Sequence, residues 1–457
     1  MMGTPPVSGT MTPATVTVSR GTTVGHVGQG FAGLSFEKTH IANGSLTGQN
    51  TALIGLCRLL GPNILRLGAN DVDKVSWVAT AAPGGGAAPF PSTIGTADVD
   101  ALADFLRATG WKTIYGVNFK SGTPANSAEE AKYATTKLGS SLYGIEIGNE
   151  INFSGTWAAI KTKWESFATA VLAAAPNVPL IGPDSAGSGV PGFLAPFATD
   201  EASKLLLLTA HYYRAPARTG ASTIASLVSP DPALVTRLKD VQTSMTANHI
   251  SGYRMDESNT FSQHGQDGIS NALVSALWSI DFLFTNAMNG ATGVNFHGSQ
   301  LGSDASLPTT PFYYAPIQET DGAVTAAAPL FYGMLLFTMA GTGNVLATTV
   351  SSGAVNMAGY AIAQADGSTN VILNNKDTAS AVTATVDLGG PVAAAGAIYL
   401  QGPTPASLSA TTGITIGGSD IAPSGTWMPK QPYGLMVSGN TLKVVVPPAS
   451  AALIHAR

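Results

Sequence analysis

From about residue 31 to 340, short β-branched or apolar runs alternate with stretches of helical periodicity, the pattern of repeated βα units. Eight runs read as strands: FAGLSFE (31–37), NILRLGAN (63–70), KTIYGVNF (112–119), YGIEIGNE (143–150), PLIGPD (179–184), LLLTAHYY (206–213), YRMDES (253–258) and GVNFHGS (293–299). Eight such strands with helices between them predict a parallel barrel. In GTWAAIKTKWESFATAVLAAAP, the residues Trp157, Ile160, Trp164, Phe167 and Val171 recur at steps of three and four and mark one buried helical face. Cys57, in ALIGLCRLLG, reads as a small core residue on a helix. The Gly- and Pro-rich stretch 79–95 is too long for an ordinary connection after the second strand. It is either a loop on the active face or a surface insertion.

Beyond about residue 343 the texture changes to short strands with turn signals and no helix, as in MAGYAIAQADGSTNVILNNKD, AVTATVDLGG, AIYLQG and NTLKVVVPPASAALIHAR. This predicts a β-sandwich, and TPATVTVSRG near the start reads as one more strand that pairs into it. The expected division is residues 1–25 as an N-terminal strand of the sandwich, 26–340 as the catalytic barrel and 341–457 as the C-terminal sandwich. The fold class is therefore α/β, a (β/α)8 TIM barrel with an accessory β-sandwich.

Composition narrows the function. Only 11% of residues are charged, the net charge is −5 and no run of Lys or Arg occurs, which removes the electrostatic footprint of nucleic-acid or anionic-membrane binding. No apolar run reaches the roughly 18 residues of a membrane span; PLFYGMLLFTMAG fits a buried helix. The start, MMGTPPVSGTMTP, lacks a signal-peptide pattern but looks like a start codon placed on a trimmed mature chain, so a secreted or periplasmic protein is expected, with a cytoplasmic one left open. A single Cys rules out an intramolecular disulfide. Without HExxH, paired Cys or ligand-spaced His, no metal is expected. GTGNV and GQDG lack the strand–helix setting of nucleotide binding, so no cofactor is expected either. Oligomeric state is left open.

In a barrel of this kind catalytic groups project from the C-terminal ends of strands. Strand four closes with Glu146, Gly148, Asn149 and Glu150, strand seven with Asp256, Glu257, Ser258 and Asn259, strand one with Glu37, and strand two with Asn70 and Asp71. Glycoside hydrolysis needs a proton donor on the leaving oxygen and a second carboxylate that attacks or activates water. Two Glu on non-adjacent strands meet that need across the mouth.

The combination LRLGAN, YGIEIGNE, AHYY and MDES at strands two, four, six and seven resembles glycoside hydrolase family 79, the family of heparanase and of bacterial and plant β-glucuronidases. The likeness runs from about residue 16 to the C-terminus and is most similar to a bacterial exo-acting member. It implies a barrel with a β-sandwich built from both chain ends, a retaining exo-β-glucuronidase, and a carbohydrate substrate bearing β-linked glucuronic acid. By motif position Glu150 resembles the acid/base, Glu257 the nucleophile, and Asn149 a ligand of the sugar 2-hydroxyl. Arg66 matches the arginine that keeps the nucleophile ionised. Glu146, deeper on the same side of strand four, is expected to be structural.

Neighbouring strand residues point oppositely, so of Tyr212 and Tyr213 only one faces the mouth, and Tyr213 is the expected one. Lys38, Lys120 and Arg214 are the nearest cations for a 6-carboxylate, but the resemblance implies neutral donors. Ser262, Gln263, His264 and Gly265 stand where heparanase-like members carry a Tyr-Gly-Gly stretch. His297, Tyr313 and Tyr314 are rim candidates or ordinary packing, and Glu37 and Asn70 either bind sugar hydroxyls or are structural. An endo-acting enzyme, a clan-related glycosidase and a non-catalytic sugar-binding barrel are the alternatives; the acidic, Lys-poor chain speaks against cleavage of sulfated glycans.

Overall fold

The computed structural model describes residues 10–84, 92–299, 307, 309–403 and 405–457. Eight parallel strands close a barrel in chain order: Ala32–Glu37, Ile64–Gly68, Lys112–Val117, Leu142–Ile147, Leu180–Ser185, Leu205–Pro216, Tyr253–Ser262 and Val294–Gly298, numbered one to eight below. These are the eight runs expected from the hydrophobic pattern. Strands six and seven continue past their expected ends and pair with each other there, Phe261 opposite Ala215 and Ser262 opposite Pro216.

Alternation along the strands sorts the barrel interior into layers. Ile64, Ile114, Ile181 and Leu207 form a buried apolar cluster at one level. Two residues further along strand two comes Arg66, and the steps from Leu207 on strand six are Thr209, His211 and Tyr213. Register brings Ser35 opposite both Arg66 and His297, and Glu257 opposite His211. An apolar plug thus underlies a polar layer near the C-terminal mouth.

The helices cover the outside. Trp157–Ala174 buries Trp157, Ile160, Trp164, Phe167 and Val171, and Trp157 and Trp164 pack edge-on against Phe197 at 4.9 and 5.1 Å. Thr123 caps Pro124–Leu138 and Asp231 caps Pro232–Ala247, each with Pro in the first turn. Cys57 lies buried on the helix Thr51–Leu59. No helix among the described residues is long and apolar enough to cross a membrane. Of the stretch 79–95, residues 85–91 lie outside the described part; Ser76–Trp77 just before it and Thr93–Ile94 near its end form a short parallel pair.

The second layer system is one eleven-stranded sheet curled around its own core of Val16, Val371, Val382, Val444 and Ile454. Thr10–Val27 sits in it between Gly343–Ser351, antiparallel, and Ser380–Asp387, parallel. The sheet is tied to the barrel helix Leu273–Met288. Asp281 accepts hydrogen bonds from Tyr360 and Asn374 and pairs with Lys376, and Tyr360 stacks on Phe284 at 4.2 Å. Two features escaped the pattern: the hairpin of Ile317–Thr320 with Ala323–Ala327, and the continuity of the sheet across what reads as two layers.

Candidate active site

Strand four ends in a sharp turn. Gly148 (φ 85°) and Glu150 (φ 48°) both adopt left-handed backbone. A Cβ at Gly148 would come within 2.7 Å of Phe119 and Ile151, so the turn demands glycine there. Glu150 has no such exemption, and holding a Glu in this region costs on the order of 1–3 kcal/mol, a strain characteristic of functional positions. Its side chain is 21% exposed, whereas that of Glu257 across the mouth is 8% exposed.

Arg66 is the hub beneath both. The guanidinium is fully buried and donates from Nη1 to Glu257 Oε2 at 2.8 Å, from Nε to Glu146 Oε2 at 3.0 Å, and from Nη2 to Asn149 Oδ1 at 2.8 Å and Asp184 Oδ2 at 3.0 Å. Four carboxylates therefore surround one cation, counting Asp256 Oδ2 at 3.9 Å from Nε. They do not share its charge equally. Burial and the adjacent Asp184 push Glu146 up to about 8, and burial with Asp184 and Glu146 drives Asp256 well above the usual carboxylate range. Burial works against ionised Glu257 too, but His297, His211, Arg66 and the Tyr213 hydroxyl outweigh it and hold Glu257 at about 2. Asp184 is likewise lowered: burial raises it, and Arg66 and His211 more than compensate. At neutral pH the ionised partners of Arg66 are thus Glu257 and Asp184.

Tyr213 donates to Glu257 Oε1 at 2.8 Å, while Tyr212 turns outward to Asp231. His211 lies between the two carboxylates: Nδ1 is 3.1 Å from Glu150 Oε1 and 4.0 Å from Glu257 Oε2, and Nε2 is 3.6 Å from Asp256 Oδ1. An oxygen of Glu150 and one of Glu257 lie within 4.8 Å of each other. Glu150, His211 and Glu257, or Asp184, His211 and Asp256, are close enough to hold a cation. The Arg66 guanidinium, within hydrogen-bond distance of Glu257 and Asp184, would repel one.

The remaining expected residues fall into three groups. Asn70, Asn149 and Glu150 line an open cleft of about 620 Å³ together with Lys74, Lys120 and Phe153. Of the three cations weighed from sequence, only Lys120 lines this cleft; Lys38 is buried against Glu130 and the Tyr115 ring, and Arg214 pairs with Asp231. Glu37 and His297 are buried at the strand ends, with His297 Nε2 3.6 Å from Glu37 Oε1, His297 Nδ1 3.2 Å from Ser35, and Glu37 Oε2 accepting from the Asp71 N–H at 2.8 Å. Ser262 closes strand seven, and Gln263, His264 and Gly265 follow it as three consecutive left-handed residues. His264 stacks on Phe312 at 3.7 Å, and a Cβ on Gly265 would meet Tyr314 Cβ at 3.1 Å. Tyr314 is buried beside Tyr213 at 5.9 Å, and Tyr313 is half-buried.

Sequence reasoning passed over His211, Asp184, Ser35 and Phe153. For His211 a signal existed: it lies two residues before Tyr213 and so shares its face. Asp184 reaches Arg66 at a backbone irregularity, a left-handed residue after Pro183, which alternation does not describe.

No protein-family profile matches the sequence, and neither does any curated protein. Solved structures do match it. A 4-O-α-L-rhamnosyl-β-D-glucuronidase from Fusarium oxysporum 12S, in complex with Rha-GlcA, aligns over 97% of this chain and 99% of its own with a TM-score of 0.75 and 20% identity. A GH51 arabinofuranosidase from Xanthomonas axonopodis pv. citri aligns over 98% and 100% with a TM-score of 0.71 and 16% identity. An α-L-arabinofuranosidase from Thermotoga maritima gives 97%, 99%, 0.71 and 14%. At these identities the likeness is one of fold: a (β/α)8 barrel with an accessory β-sandwich, covering the whole chain.

Proposed function

We propose that the protein is a retaining glycoside hydrolase, with Glu257 as nucleophile and Glu150 as acid/base. The observation that carries this reading is the pair itself, two carboxylates with oxygens within 4.8 Å across the mouth, one of them held ionised by His297, His211, Arg66 and Tyr213. Retaining enzymes place their carboxyls roughly 5–5.5 Å apart, and inverting enzymes need about 6.5–9.5 Å to admit a water between acid and base. An oxygen pair within 4.8 Å fits the first class, and the stereochemistry of the first-formed sugar decides between the two.

In the proposed cycle Glu257 attacks the anomeric carbon while Glu150 gives its proton to the leaving oxygen. A glycosyl ester forms on Glu257, and the leaving group departs as the alcohol. Glu150, now a carboxylate, takes a proton from water as the water attacks the ester, which releases the sugar and restores both groups. Arg66 and Tyr213 stabilise the carboxylate that leaves in this second step. Asn149, whose Oδ1 accepts from Arg66, is the residue we assign to the 2-hydroxyl.

We assign the glycone as a terminal β-D-glucuronic acid. The motif resemblance supports this, as does the whole-chain fold likeness to a glucuronidase. The turn Gln263–His264–Gly265 beside Tyr314 is the region we assign to the 6-carboxylate, where each neutral donor would contribute about 1.5–3 kcal/mol toward a charged acceptor. We further read residues 1–25 and 341–457 as one domain that braces the barrel at 26–340.

Turnover of 4-nitrophenyl β-D-glucuronide, β-D-glucoside, β-D-xyloside and α-L-arabinofuranoside tests substrate and class together. Equal or greater activity on the neutral glycosides would sink the glucuronidase assignment, and no turnover of any glycoside would favour a non-catalytic barrel. NMR of the first-formed sugar checks stereochemistry: initial β-anomer is expected, and initial α-anomer excludes retention.

A further inference from the structure

Among the described residues Phe153 is the one aromatic side chain exposed at the surface, 68% accessible, while every other described Phe, Tyr or Trp is buried or half-buried. Its place is not arbitrary. It lies three residues past Glu150, on the single turn Ile151–Ser154, and its N–H donates to the Glu150 carbonyl at 2.9 Å. The turn is fixed from the other side by a reciprocal pair: Asn152 Nδ2 donates to the Ala186 carbonyl at 2.8 Å, and the Ala186 N–H donates to Asn152 Oδ1 at 3.0 Å. The Phe153 ring edge comes so near Gly187 that a Cβ there would lie 3.2 Å from it. The backbone of the turn is therefore fixed on both sides, and it presents the exposed ring as one wall of the same 620 Å³ cleft that Glu150 lines.

Which side of the reacting bond this cleft serves follows from chemistry. An acid/base protonates the leaving oxygen, so the leaving group lies on its side. Glu150 lines the cleft and Glu257, deeper and behind Tyr213, does not. The cleft volume falls within the roughly 300–1,000 Å³ of small-molecule sites, enough for a ring beyond the scissile bond. An aromatic face presented there suits a ring with an apolar face of its own.

Building on the glycosidase reading above, we propose that Phe153 is the platform of the leaving-group subsite and makes the enzyme select ring-bearing leaving groups. Such a ring is either the next pyranose of a glycan or an aromatic alcohol. The contact exists only while the leaving group is present, so it acts on formation of the glycosyl-Glu257 ester, and on the reverse approach of an acceptor alcohol. In that reverse step the acceptor oxygen bonds to the anomeric carbon, the Glu257 ester bond breaks, and the acceptor proton passes to Glu150.

The test compares the parent protein with Phe153→Ala and Phe153→Trp on three β-glucuronides: methyl, 4-nitrophenyl, and a disaccharide with a pyranose leaving group. Phe153→Ala is expected to lower kcat/KM by roughly 3- to 10-fold on one or both ring substrates, with a smaller loss on the methyl glucuronide and with Phe153→Trp restoring the loss. Which ring substrate responds identifies the natural kind of leaving group. During turnover with added methanol or methyl xyloside, Phe153→Ala should also lower transfer to the xyloside relative to methanol. An equal effect on all three substrates, or none, together with an unchanged transfer ratio overturns the assignment of Phe153 alone. Absence of turnover in the parent on every glycoside overturns the glycosidase reading and this subsite with it. The residue is exposed, so the variants should melt as the parent does.

Discussion

Replacing Tyr213 with Phe removes one hydroxyl and leaves the ring that packs beside Tyr314. The lost bond is a 2.8 Å donation to Glu257 Oε1 in a buried site. A hydrogen bond to an ionised acceptor is worth about 1.5–3 kcal/mol, which at about 1.36 kcal/mol per pKa unit is about one to two units. Glu257 should therefore rise from about 2 to roughly 3–4. The sign follows from a depressed carboxylate. With Glu257 as the proposed nucleophile, activity is expected where it is ionised, above its pKa, and is expected to be lost as pH falls through it. The acid limb of kcat/KM on 4-nitrophenyl β-D-glucuronide should then move upward by about one to two pH units, with a smaller change near neutrality where Glu257 stays ionised in both proteins. Linked stability moves the same way. The stabilisation that Glu257 contributes above about 4.5, and loses as pH falls toward about 2, shrinks in the variant. A variant with an unmoved acid limb and a parent-like melt at acid pH would refute the reasoning, since the hydroxyl would then not be holding the carboxylate.

Glu146→Gln replaces a buried carboxyl held near 8 with a neutral isostere that still accepts from Arg66. A raised carboxyl contributes stability that is full below about 4.5 and lost as pH rises through about 8, so the variant should gain on the parent between mildly acidic and alkaline pH in thermal melts; a pH-independent offset contradicts this. Arg66→Lys cannot reproduce bonds to Glu146, Asn149, Asp184 and Glu257 from one ammonium. It should cost about 3–5 kcal/mol in urea unfolding, and less than about 1 would show that the hub is not what balances these carboxylates. Glu150→Ala should lose about 10²–10⁴-fold on alkyl glucuronides and much less on nitrophenyl ones, and azide should yield the β-glycosyl azide; an equal loss on both would deny it the acid role.

The barrel was legible because each strand is a short apolar run and each helix repeats its apolar face. Trp157, Ile160, Trp164, Phe167 and Val171 state their side of the helix by spacing alone. Residues 214–216 and 259–262 lie beyond the predicted strands six and seven because a Pro and polar residues interrupt the apolar runs there, and their mutual pairing beyond the barrel leaves no trace in either segment. Parity along strand four put Glu146 beneath Glu150, and parity along strand six would have put His211 beside Tyr213. Asp184 was out of reach, since it meets Arg66 only through closure of the barrel and an irregular backbone. Nor could spacing reveal that Glu146 and Glu257, both bonded to one guanidinium, titrate in opposite directions. That depends on which carboxylate Asp184 crowds and which one Tyr213 and His297 attend.

The central claim is that Glu257 carries the sugar, and trapping the intermediate tests it most directly. Incubation with a 2-deoxy-2-fluoro-β-glucuronyl or cyclitol-type inactivator, followed by peptide mapping, should show one equivalent bound as an ester on Glu257. Label on Glu150 or any other residue, or steady turnover of the reagent without a trapped adduct in a protein that inverts its substrate, would contradict the account.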